Sequence, residues 1–116
     1  MRTALLIALM ALASQLAYAG GNAGAGAEKS KPCAACHGAG FNTPVSPDTP
    51  RLAGQYADYL ARALADYKSG ARKNAVMGGQ AAALSAQDIQ DLAAYFQSLS
   101  GSLKVIRLHR LAGGTN

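Results

Sequence analysis

The sequence predicts an all-α fold of about three helices joined by ordered loops. Three observations carry that prediction. Two segments repeat apolar residues at helical spacing. Residues that start and stop helices bracket those segments. No segment is a Val/Ile-rich run of the kind that builds a buried strand.

The first 19 residues form a segment of their own. Arg2 supplies a positive start, Ala4 to Ala13 is the apolar run "ALLIALMALA", and Ala17-Tyr18-Ala19 offers an A-x-A cleavage pattern. This is the pattern of a secretory signal peptide. The run is short of the ~20 residues a spanning helix needs, and no later stretch of the mature chain is long and apolar enough to cross a membrane. Cleavage after Ala19 leaves residues 20–116, a single small domain. The expected organisation is signal peptide 1–19, folded domain 20–100 and C-terminal extension 101–116. The net charge of +5 is mild and lacks concentrated Lys/Arg runs. That excludes a nucleic-acid binder.

Along the mature chain, "GGNAGAGAEKSK" (Gly20 to Lys31) is a loose start followed by a short helix, which Pro32 keeps from running on regularly. "GAGFNTPVSPDTP" (Gly38 to Pro50) is loop by composition, with three of the four prolines. Its length marks a binding loop. In "QYADYLARALADYKSG", Tyr56, Leu60, Ala63, Leu64 and Tyr67 recur at helical spacing, and Gly70 caps the end. "ARKNAVMGGQAAAL" reads as a second loop, around Met77. Ser85-Ala86-Gln87-Asp88 is a Ser-x-x-Asp variant of the capping box. It opens a last helix with the stripe Ile89, Leu92, Ala93, Phe96 and Leu99, ending near Gly101.

A domain this small needs help to stabilise its core. The chain holds two cysteines, Cys33 and Cys36, in "CAACH". A disulfide between them would close a very short loop and restrain little chain entropy. Three chemistries use such a pair. A thioredoxin-like dithiol sits in a βαβ unit, for which the strands are missing. A zinc site needs four ligands, and His37 stands too close to both thiols to join them easily on one ion. C-x-x-C-H is also the signature of covalent haem c attachment. Two thiols three positions apart share one face of a helical turn and can each add to a haem vinyl group, while His37 falls under the ring and ligates iron. Haem c, one per chain, is therefore the expected cofactor, and it completes the core.

The sixth ligand follows from what remains. His/Met and His/His are the usual pairs. Met1 and Met10 leave with the signal peptide, so Met77 is the one methionine of the mature chain. Gly78 and Gly79 after it suggest backbone passing close to something flat. His109 is the competitor, read here as a solvated residue of a basic tail. His37 and Met77 are the expected iron ligands.

With these residues in view, the chain resembles a class I c-type cytochrome, and is closest to a single domain of the bacterial diheme periplasmic cytochromes c. "CAACH", "PRLAGQ" (Pro50 to Gln55), "YLARALADYKSGAR" followed by Met77, and "LSAQDIQDLAAYF" carry the resemblance, which covers roughly Gly24 to Leu99. It implies the small class I fold, helices wrapped around one covalently attached haem. It implies that Pro50 offers its carbonyl to the far nitrogen of His37, that Pro50 and Leu52 lie beside the cofactor, and that Gly26 sits where the first and last helices cross, against Tyr95 or Phe96. Three departures stand out: a loop from His37 to Pro50 about one residue longer than usual, Pro32 within a normally helical stretch, and the tail "GSLKVIRLHRLAGGTN".

Filled axial positions leave one-electron transfer through an exposed haem edge. The expected function is a periplasmic shuttle, not an enzyme, working between redox protein partners such as a reductase and an oxidase complex. Lys68, Arg72 and Lys73, with Lys29 and Lys31, are the expected docking cations. Two other readings remain open. One is a cytochrome subunit of a larger dehydrogenase or oxidase complex, with the tail as its docking element. The other is an open-site haem enzyme or gas sensor. The covalent chemistry gives the first test. Denatured protein should show the mass of residues 20–116 plus one haem. Haem released by acid-acetone, or a mass reporting only a Cys33–Cys36 disulfide, would sink the assignment.

Overall fold

The computed structural model describes residues 20–103. The expected signal peptide, residues 104–116 of the tail and His109 lie outside the described residues. Five α-helices run α1 (Ala23–Lys29), α2 (Ala34–His37), α3 (Ala57–Ser69), α4 (Ala75–Ala82) and α5 (Ala86–Ser98), with 3-10 turns at Lys31–Cys33 and Ala39–Phe41. The described residues contain no strand, as an all-α sequence predicts.

Local chemistry explains each boundary. The Asn22 side chain accepts from Ala25 N and opens α1. Pro32 sits in the first positions of the 3-10 turn, where its missing N–H costs nothing. Gly70, at φ +81°, closes α3 as expected. The Ser85/Asp88 capping box is formed in both directions and starts α5. α5 ends at Ser98, three residues before Gly101, where Leu99 turns to extended backbone.

One expectation is overturned. The segment around Met77 is a helix, not a loop. Its glycines weaken helix propensity, but the Asn74 side chain accepts from Met77 N and caps the start of α4. At the other end, Lys68 Nζ donates to the carbonyl oxygens of Ala82 and Leu84, and α4 packs along α3. Tertiary contact supplies what propensity lacks.

α5 is the central element, contacting α1 and α3. Its stripe is buried at Ile89, Leu92, Ala93 and Phe96 and half-buried at Leu99. Leu60 of α3 joins Leu92, Ala93, Phe96, Ala53 and Phe41 in one cluster. Against α1 the approach is closer. A Cβ on Gly26 would stand 2.0 Å from Asp91 O and 2.7 Å from Tyr95 Cβ, and one on Gly21 would stand 1.8 Å from Gln90 O. The expected crossing at Gly26 is therefore real, with Asp91 and Tyr95 as its floor.

Asp91 was not anticipated. Its side chain is 4% exposed, yet it accepts from Lys29 Nζ (2.5 Å), Asn22 N (2.7 Å) and Gln87 Nε2 (2.8 Å). The Lys29 hydrogen bond first, then those from Asn22 and Gln87, hold its pKa down at about 2. An unfolded Asp titrates near ~3.9. The folded value is the lower one, so this contribution to stability is complete above the unfolded pKa and is lost as pH falls through the folded pKa. Asp91→Asn should lower the unfolding temperature at neutral pH and flatten its dependence between about pH 4 and pH 2. Gly26→Ala should cost about 1–3 kcal/mol by overpacking at every pH. Thermal unfolding across a pH series measures both.

Candidate functional site

The attachment turn is built by backbone hydrogen bonds. Cys33 N donates to Ser30 O (2.8 Å) and Gly38 N to Ala34 O (3.0 Å), so Cys33 to His37 form one compact turn. Cys33 is half-buried, Cys36 is exposed, and no disulfide joins them. Burial pushes the Cys33 thiol up, keeping it protonated at neutral pH. Their spacing puts both sulfurs on one side of the turn.

His37 is 6% exposed. Its Nδ1 lies 2.8 Å from Pro50 O. A carbonyl can only accept, so Nδ1 carries a proton, and in the neutral ring that leaves the lone pair on Nε2. Among the described residues no buried side-chain nitrogen or oxygen lacks a partner. Nε2 makes no hydrogen bond, so it must open onto accessible space. This is the hydrogen-bonding pattern of an imidazole that ligates metal through Nε2.

The loop after His37 returns to hold it. Gly38 has φ +83°, and a Cβ there would meet Thr43 O at 1.9 Å. Val45 N donates to Cys36 O (3.0 Å). Pro50 is exposed, and half-buried Leu52 packs on the same core cluster as Cys33. The structure thus gathers Cys33, Cys36, His37, Pro50 and Leu52 into one region. Met77 comes from a separate element, half-buried in the first turn of α4. Protein packing does not demand the glycines behind it. A Cβ on Gly78 would find Tyr67 O at 3.8 Å, and one on Gly79 nothing within 4 Å.

The basic residues divide differently from the sequence expectation. Lys29 is committed to Asp88 (2.8 Å) and Asp91 (2.5 Å), inside the α1–α5 contact. Lys31 pairs with Glu28. The Lys68 ammonium faces the last carbonyls of the α4 segment, where a cation is favoured. Arg72 stacks 4.9 Å over the Tyr67 ring. Its pKa is raised, first by a hydrogen bond with Tyr59 and then by Tyr67. Arg72 and Lys73 are exposed, and so is Val76 beside Met77, at 65%.

Sequence reasoning missed Phe41, which is 5% exposed and central to the core cluster, because it lies in the proline-rich loop. Its only signal was that it is the one aromatic residue between Tyr18 and Tyr56.

Two thiols on one turn and a buried imidazole with its outer nitrogen free fit haem c. Together with the helical fold they define the class, a helical protein with a haem c attachment motif. Comparison with known proteins gives the family. The cytochrome c family model matches residues 23–100. The chain belongs to the cytochrome c family, the family of haem c electron-transfer proteins, and its cofactor is covalently bound haem c. It is 43% identical over 99 residues to cytochrome c4 of Pseudomonas aeruginosa, covering 85% of this chain and 49% of that protein. It is 47% identical over 72 residues to a thiosulfate dehydrogenase electron acceptor of Thiomonas intermedia, covering 62% of this chain and 33% of the relative. Cytochrome c-554(548) of Halomonas halodenitrificans is 42% identical over 81 residues, which are 67% of this chain and 96% of that one. Among solved structures, reduced recombinant cytochrome c4 from Pseudomonas stutzeri superposes with a TM-score of 0.66 at 42% identity, covering 72% of this chain and 48% of that chain. The chain spans about half the length of the cytochrome c4 relatives it matches.

Proposed function

We propose that the protein is a periplasmic monohaem electron carrier, with Cys33 and Cys36 as the attachment sulfurs, His37 and Met77 as iron ligands, and Pro50 and Leu52 beside the cofactor. The observation that carries this reading is the fixed His37 tautomer, with Nδ1–H on the Pro50 carbonyl and Nε2 free. Haem c supplies a one-electron couple when bound. The chain's own residues orient one ligand tightly and offer a thioether on α4 as the other. With His37 and Met77 both holding the iron, no place would be left for a substrate at the metal, which supports a carrier over an enzyme or sensor. The division into signal peptide 1–19, haem domain 20–100 and extension 101–116 belongs to the same reading, as does export to the periplasm. Among the described residues no helix is long and apolar enough to cross a membrane.

The partners are redox proteins. One relative is a thiosulfate dehydrogenase electron acceptor, and another is a cytochrome subunit of a sulfide dehydrogenase. These names support a dehydrogenase as electron donor and favour, as a second reading, a subunit held within such a complex. Arg72, Lys73 and Val76 form the candidate contact beside Met77, Arg72 being held ready by its two tyrosines. Co-purification with a partner at moderate salt separates subunit from carrier.

Two measurements test the proposal. The ferric protein should show the weak far-red sulfur-to-iron band. Met77→Ala should abolish it, let carbon monoxide bind the ferrous haem and lower the potential, within the ~0.8 V that axial ligands command. His109→Ala should change none of these. Ready carbon monoxide binding by the unmutated protein would replace the carrier with an open-site enzyme or sensor. Second, stopped-flow reduction rates should depend on salt, because exposed charges are screened within ~8 Å at physiological ionic strength. Neutralising Arg72 and Lys73 together should weaken that dependence, whereas a Lys29 variant should act through stability instead. Rates indifferent to salt remove the basic contact.

A further inference from the structure

Phe41 combines two features that pull against each other. It is the one described non-glycine residue with positive φ, at +58°, and its side chain is almost wholly buried. Left-handed backbone is unfavourable for a bulky aromatic residue and persists only where surroundings impose it. The surroundings here are α5. The Phe41 ring meets Phe96 edge-on at 4.8 Å between centroids and Tyr95 at 5.9 Å.

The conformation has a consequence at the backbone. Phe41 O accepts two hydrogen bonds, from Leu52 N (2.9 Å) and Ala53 N (3.0 Å). Those residues follow Pro50 and Arg51 directly. Pro50 has no N–H of its own and is exposed. It is held from its two sides. Upstream, Thr49 N donates to Ser46 O (3.2 Å), and the two hydroxyls lie 3.0 Å apart. Downstream, the anchor is the Phe41 carbonyl.

We infer that Phe41 is a positioning residue for the axial histidine: its buried ring locks a left-handed backbone whose carbonyl pins Leu52 and Ala53, and so sets the Pro50 carbonyl at hydrogen-bonding distance from His37 Nδ1. This rests on the reading that His37 ligates the iron. The Nδ1–H···O bond makes the imidazole a stronger donor through Nε2. A stronger donor favours the ferric state, so loosening the Pro50 carbonyl moves the potential upward.

The test compares Phe41→Ala, Phe41→Gly and Phe41→Leu in the haem-loaded protein. It reads hydrogen exchange of the His37 Nδ1 proton by NMR, the midpoint potential and thermal stability. Alanine has no ring to hold positive φ and should relax, with exchange faster by up to about tenfold, the equivalent of one net hydrogen bond, and a more positive potential. Glycine removes the same ring but adopts positive φ freely. It should lose stability like alanine while keeping exchange and potential closer to the unmutated protein. Leucine should keep both nearest of all. If alanine and glycine shift exchange and potential equally, or if neither shifts while both lose stability, Phe41 only fills the core and the inference is overturned. If the alanine variant does not accumulate, glycine and leucine carry the comparison, and a glycine variant with Nδ1 exchange as fast as if the bond were absent overturns it. His37 ring protons of the unmutated ferric protein should show large hyperfine shifts. Without them the ligation reading fails and takes this inference with it; with them, and with equal exchange in all variants, the positioning role alone fails.

Discussion

The rest of the structure depends on the contact between α1 and α5. Two glycines, Gly21 and Gly26, bring the α1 backbone onto that of Gln90 and Asp91, closer than any side chain would permit. The single Asp91 carboxylate then reaches both ends of α1, taking Asn22 N before its first turn and Lys29 Nζ in its last. Because α1 leads through Ser30 into the attachment turn, fixing α1 on α5 fixes where Cys33 begins. The same α5 carries Phe96 and Tyr95, which hold Phe41, and the Phe96 carbonyl accepts from Gly54 N just beyond the Pro50 segment. One helix therefore registers the attachment turn from upstream and the backing of His37 from downstream.

A buried carboxylate is a costly way to make such a contact. Taking an anion out of water is unfavourable unless donors replace the solvent. Asp91 has a lysine, a backbone amide and a side-chain amide, so its two oxygens are met from three directions. An apolar residue in its place could pack as well, since buried ion pairs are poor sources of net stability. It could not select one register. A seven-residue helix with two glycines of its own, Gly24 and Gly26, facing a smooth surface could slide, whereas a carboxylate that must find Asn22 and Lys29 together permits one alignment. Lys29 is consequently structural, although its place just before the attachment motif reads as a surface cation.

What was legible in the sequence was mostly what is local. The stripe of α5, its Ser85/Asp88 box and the Gly70 cap of α3 are each written within a few residues and were read correctly. The attachment motif is local too, because two sulfurs and an imidazole on one turn need only adjacent positions. The Pro50 carbonyl on His37 spans 13 residues and came only from resemblance. α4 was read as loop because "AVMGGQAA" has no clear stripe; its cap at Asn74 and its support from Lys68 lie outside that window. Phe41 and Asp91 were missed for a common reason. One acts through a backbone angle and a carbonyl, the other through partners 62 and 69 residues away, and neither leaves a periodic trace.

The two proposed ligands are held by different means. His37 is over-determined: its turn is hydrogen-bonded at both ends, its Nδ1 is engaged, and the carbonyl engaging it is anchored on both sides. Met77 stands on a two-turn helix with consecutive glycines and a side-chain cap, packed on α3 and exposed along much of its length. Local stability follows buried apolar contact and protected backbone hydrogen bonds, so heat, denaturant or a docking partner reaches α4 before the attachment turn. Arg72, Lys73 and Val76 lie on or beside that softer element. A partner that binds there touches the half of the site whose geometry yields most readily, while the covalent half keeps the cofactor in place.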